Sequence, residues 1–180
     1  MTKLIYQLAD DLEKAITLFD EEEMSSLCQK FVDELPALKS KFDKDKAQSL
    51  LSNLRKKRSF KLIIIVSDAL IRNGQNDPQI LRQYGQALIE SGMFAPAFQC
   101  CSMVIKNPNA EESEKNEAHG LIGRIYKQLY IDEKNATPKR KELLLKRSIN
   151  SYNRVFALDE EEFMWHGINI VALLARAKAD

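Results

Sequence analysis

The sequence predicts an all-α protein, a right-handed α-solenoid of about eight or nine helices packed as antiparallel pairs. Three observations carry this expectation. Apolar residues recur every three or four positions along most of the chain; only six Gly and five Pro interrupt 180 residues; and a helix-turn-helix pattern of about 34 residues can be laid on the chain twice. Strand-rich folds need frequent turns, so a chain with so few breakers is expected to be helical. With 44% hydrophobic and 29% charged residues, it is apolar enough to build a core and charged enough to solvate a helical surface.

Leu4, Leu8, Leu12, Ile16 and Phe19 fall on one helical face and define the first helix. Asp20 is a cap for a second, whose stripe of Met24, Leu27, Cys28, Phe31 and Leu35 stops at Pro36. The segment between Pro36 and Asp45 reads as short and polar. Leu50, Leu51 and Leu54 mark a third helix that ends near the basic run Arg55 to Arg58, and a fourth covers about Phe60 to Arg72 before the stop signal Asn73-Gly74.

Asp77-Pro78 opens the clearest repeat, with Asp as cap and Pro in the first turn. With Gly85 in the glycine slot, Leu81 takes the large apolar slot, Tyr84 the leucine slot and Leu88 the aromatic slot. Gly92 supplies the turn, Ala97 the small contact and Cys101 the aromatic of the second helix. This is the tetratricopeptide pattern, in which small residues let two antiparallel helices approach while bulky ones fill the space beside them. A second copy begins near Asn116: Ile122 and Gly123, then Tyr126, then Ser148, Tyr152 and Val155, with about 13 surplus residues around 130–142 read as a loop or a helix extension. Phe163 to Ala177 reads as another first helix without a second. The expected organisation is one helical-repeat domain over 1–180, with degenerate pairs in 1–76, the best repeat in 77–110, the interrupted repeat in 116–159 and a terminal helix in 163–178.

Gly123-Arg124-Ile125-Tyr126-Lys127, Ser151-Tyr152-Asn153-Arg154-Val155-Phe156-Ala157-Leu158 and Gly167-Ile168-Asn169 before Leu173-Leu174 together resemble the TRAFs-binding region of the apoptosis signal-regulating kinases and its bacterial relatives. The resemblance covers the last third of the chain. It implies a helical-repeat regulatory domain that binds proteins. A kinase segment is absent from the sequence, which has neither a Gly-rich nucleotide loop nor a His-Arg-Asp triplet.

In stacked helix pairs the first helices line the concave surface, so the expected partner-binding positions are Gln79, Arg82, Gln86, Ile89 and Glu90, then Glu117, Arg124, Lys127 and Gln128. The expected ligand is a protein or peptide segment, with Arg82, Arg124 and Lys127 suited to its carboxylates. Gly167 and Asn169 are read as structural, for close helix packing and backbone bonding. Cys101 sits in a core slot, and Cys28, Cys100 and Cys101 show no metal spacing. His119 and His166 have no Cys partner and do not share a helical turn, so no catalytic, cofactor-binding or metal-binding residue is expected. Glu21 to Glu23 and Glu160 to Glu162 suit helix starts.

A net charge of +1 gives no global field toward nucleic acid or an anionic membrane, although Arg55-Lys56-Lys57-Arg58 and Lys139-Arg140-Lys141 are locally basic. The longest apolar run, Leu62 to Val66, is far short of a membrane span, and the N-terminus lacks the apolar centre of a signal peptide. A non-enzymatic, cytoplasmic interaction module follows. The alternatives are the sensor part of a larger signalling or defence enzyme system, or a nucleic-acid-binding helical protein.

Overall fold

The computed structural model describes residues 2–179, and among these there are nine α-helices, one short 3-10 turn at Leu35–Ala37, and no strand. The helices are α1 (Thr2–Leu18), α2 (Glu21–Glu34), α3 (Lys44–Lys56), α4 (Phe60–Arg72), α5 (Pro78–Glu90), α6 (Phe94–Lys106), α7 (Glu112–Asp132), α8 (Pro138–Phe156) and α9 (Met164–Ala179). The all-helical expectation holds. None of these helices is long and apolar enough to cross a membrane.

The chain divides into two compact units, one through Cys100 and one from Cys101. In the first, α1 packs on α2, α3 on α4 and α4 on α5, while α1 also meets α3, α2 meets α4 and α3 meets α5. Contacts to the next helix and the next but one are the packing rule of stacked helix pairs. In the second, α7 packs on α8 and α8 on α9.

Local signals account for most boundaries. Asp20, Asp43, Asp77 and Thr137 accept a backbone N–H from the first turn of α2, α3, α5 and α8, which satisfies one of the donors a helix start leaves open. Glu21, Glu22 and Glu23 lie in the first turn of α2; Glu160 to Glu162 lie in the turn before α9, where Asp159 accepts the N–H of Glu161 and of Glu162.

The ends of α1, α3, α4 and α5 share one geometry. Phe19 (φ 58), Arg58 (φ 57), Gly74 (φ 89) and Gly92 (φ 74) are left-handed, and the next residue donates five positions back: Asp20 to Ala15, Ser59 to Leu54, Gln75 to Leu70, Met93 to Leu88. This is the Schellman arrangement.

The first unit buries Leu12, Phe31, Leu50, Leu51, Leu54, Ile63 and Leu70. The segment between Pro36 and Asp45, which reads as polar, also contributes: Phe42 is buried, stacked on Tyr6 and edge-on to Phe31. Asn73 and Gln75 hold its backbone from the end of α4, Asn73 Oδ1 accepting from Phe42 N at 2.7 Å and Gln75 Nε2 donating to Phe42 O at 2.7 Å.

In the second unit Tyr130, Leu144, Tyr152 and Leu173 form one buried cluster, and Val104, Ala118, Ile125 and Val155 are buried as well. The surplus residues lengthen both helices of the pair: α7 has 21 residues and α8 has 19, against 13 in each of α3 to α6. The loop left between them is tied by Arg140, whose Nε and Nη2 donate to both oxygens of Glu133 at 3.1 and 2.9 Å.

Candidate partner-binding surface

In the first unit the first helices of the pairs are stitched side by side through polar side chains. Lys46 on α3 pairs with Asp10 on α1, and Ser49 Oγ donates to Glu13 Oε1 at 2.8 Å. Gln48 Nε2 reaches the α5 cap Asp77 at 2.8 Å, and Gln83 Nε2 on α5 reaches Ser52 Oγ at 2.8 Å. An open hollow of about 770 Å³ lies on this face, lined by Gln7, Asp10, Glu13, Lys14, Thr17 and Asn53 among others.

On α5, Gln79, Arg82, Gln86 and Glu90 are half-buried, and Ile89 is only 5% exposed. Packed on both α3 and α4, α5 buries more than one stripe: Ile80, Leu81, Gln83, Gly85, Ala87, Leu88 and Ile89 are all covered. The face left for a ligand on this helix is narrower than its periodicity implies.

In the second unit, Arg124, Lys127 and Gln128 are half-buried on α7, and Glu117 is exposed about two turns before Arg124. Lys127 reaches across to α9, where its ammonium donates to Asn169 Oδ1 at 2.6 Å; Asn169 Nδ2 in turn donates to Trp165 O at 2.8 Å. Burial and, after it, the neighbouring charge of Arg124 push the Lys127 pKa below its usual value. Gln128 is occupied on its own helix, donating to both carboxylate oxygens of Asp132. Arg124 and Lys127 thus form a cationic pair less than one turn apart, with Asn169 as a neutral acceptor beneath it.

The repeat positions lie as follows. Leu81, Gly85, Leu88, Ala97 and Cys101 are buried, Tyr84 is half-buried, and Gly92 takes the left-handed turn. Gly123 is buried where a Cβ would come within 3.0 Å of the Tyr152 ring, and its carbonyl accepts from Ser148 Oγ at 2.8 Å. Tyr126 lies under the Arg147 guanidinium, 5.6 Å from its ring centre. At Gly167 a Cβ would meet the Phe156 ring at 2.7 Å. Burial pushes the Cys28 thiol up to about 12 and the Cys100 thiol up to about 11, so both remain protonated at neutral pH and chemically quiet.

Sequence reasoning weighed His166 only as a metal or catalytic residue and missed its burial, edge-on to Tyr152 and Phe163 with its Nε2 beside Gly120. Nor did it pair Lys127 with Asn169; the two are 42 positions apart, and no local pattern couples residues at that distance.

A family model described as Tetratricopeptide Repeats-Sensor matches residues 43–174, from the cap of α3 well into α9. No curated protein and no solved structure matches the chain.

Proposed function

The chain belongs to the Tetratricopeptide Repeats-Sensor family, and from that premise we propose that it is a non-catalytic module that recruits or regulates a partner protein through an acidic segment docked on α7 and α9. The observation that carries this reading is the seating of Lys127. Its ammonium is half-buried, held by the neutral oxygen of Asn169, and set close to the positive charge of Arg124. Both influences on it disfavour the charged form, so a carboxylate arriving from a partner would offset the desolvation already incurred. The resemblance of residues 120–175 to a protein-binding region accords with this role.

The family's description as a sensor favours a regulatory setting, with this chain reporting to an effector of a larger signalling or defence system. We place it in the cytoplasm, where the buried thiols stay reduced.

The test is peptide selection. A displayed library is panned against the purified chain, and the selected peptides are titrated against wild type and against Arg124→Glu combined with Lys127→Gln. Gln at position 127 keeps a donor for Asn169 while removing the charge. Enrichment of Asp and Glu, with affinity lost by about tenfold or more in the variant at unchanged melting temperature, is the expected outcome. Selected peptides without acidic residues, or equal affinity for both proteins, would send the search to the α1, α3 and α5 face.

A further inference from the structure

The terminal helix carries an apolar face that no described element covers. His166, Asn169 and Leu173 are its buried side, whereas Trp165 is 69% and Val171 67% exposed, with Met164, Ile168 and Leu174 each more than half exposed. Positions 164, 168, 171 and 175 form one stripe at helical spacing, with Trp165 and Leu174 at its margins. Large apolar side chains grouped on one exposed helix face mark a contact surface.

The charges flanking the stripe identify what fits it. Glu160, Glu161 and Glu162 precede the helix, and Arg176 and Lys178 lie in its last turn. Set antiparallel to a copy of itself about a two-fold axis between Ile168 and Val171, the stripe is self-complementary: Ile168 opposes Val171, Met164 opposes Ala175, and Glu161 opposes Lys178. A parallel arrangement would instead put acid on acid and base on base. A two-fold contact uses the same patch on both subunits and requires this kind of self-matching. We infer that α9 pairs antiparallel with α9 of a second copy of the chain.

The helix is 16 residues, and a single pair of this length covers less than the roughly 800 Å² per partner of a standard stable interface. Association is therefore expected in the micromolar range, which makes it responsive to concentration. Sedimentation of the full chain up to about 200 μM reads this directly. Wild type is expected to shift from monomer to dimer across that range, and Val171→Glu, at an exposed position, to remain monomeric with an unchanged melting curve.

Lys178→Glu is expected to weaken the dimer about tenfold, and adding Glu161→Lys to restore it. A wild type that stays monomeric, a Val171→Glu protein that still dimerises, or a charge-swapped double variant no better than Lys178→Glu alone would each overturn the proposal.

Discussion

Gly123 occupies a point in α7 where a side chain has little room, since the first carbon would lie 3.0 Å from the Tyr152 ring. Two effects compete at this position. Gly in a helix interior costs about 1 kcal/mol relative to Ala, so Gly123→Ala removes a local weakness; forcing a methyl group against a packed ring costs about 1–3 kcal/mol. The ring is buried and seated between Gly123 and His166, which limits its retreat, so the steric cost should win. Gly123→Ala is expected to lower stability by about 1 kcal/mol and Gly123→Leu by about 3 kcal/mol or more, read from urea unfolding followed by circular dichroism. A Gly123→Leu protein as stable as wild type would show that α7 and α8 do not approach as described.

At the scale of elements, the helix ends hold a second test. Gly92, Phe19 and Arg58 perform the same turn after α5, α1 and α3, but only Gly92 is a residue that enters left-handed backbone without steric cost. For an ordinary L-residue that conformation costs about 1–2 kcal/mol. Arg58→Gly is therefore expected to raise stability by about 0.5–1 kcal/mol after the added freedom of the unfolded chain is counted, and Gly92→Ala to lower it by about 1 kcal/mol. Thermal melts of the two variants should move in opposite directions; movement in the same direction would mean that another contact, such as Arg58 over the Phe60 ring, dominates the turn.

The same ends show why the fold was only partly readable. Apolar stripes and the Asp20 and Asp77 caps are local signals, and they mark where helices lie, although Leu4 and Phe19 of the first stripe are about half exposed and Phe19 lies beyond α1. Phe19 and Arg58 are not turn residues by type; the structure around them dictates their conformation, and no propensity shows it. Phe42 was hidden for a related reason: its burial depends on Asn73 and Gln75, more than 30 positions away. The candidate surface was less legible than the fold. Ile89 sits on a helix packed from two sides, and one helix's periodicity does not reveal how many neighbours it has.

Across the whole molecule the charges nearly cancel, and three side chains of the locally basic runs have partners within the chain. Lys57 lies over the Phe19 ring, Arg58 over Phe60, and Arg140 is bound to Glu133. His119 and His166 are both depressed below 6.5, burial being the main cause in each, reinforced at His119 by Arg154 and opposed by Glu112 there and by Glu117 at His166.

A base with a depressed pKa is neutral in both states above 6.5, so its contribution is complete there. As the pH falls below that value, the unfolded chain takes up protons that the folded chain refuses, and stability is lost until the folded values are passed. The lowered carboxylates act in a separate window. Asp11, held down first by Lys14, Glu112 by Lys115 and Glu133 by Arg140, lose their contribution only as the pH falls below their ordinary values of 3.8 and 4.5. Melting temperature is thus expected to decline in two steps, the first beginning as the pH falls below 6.5 and the second below 4.5. His119→Gln combined with His166→Gln should flatten the first step and leave the second intact; an undiminished first step in the double variant would show that neither imidazole is buried as described.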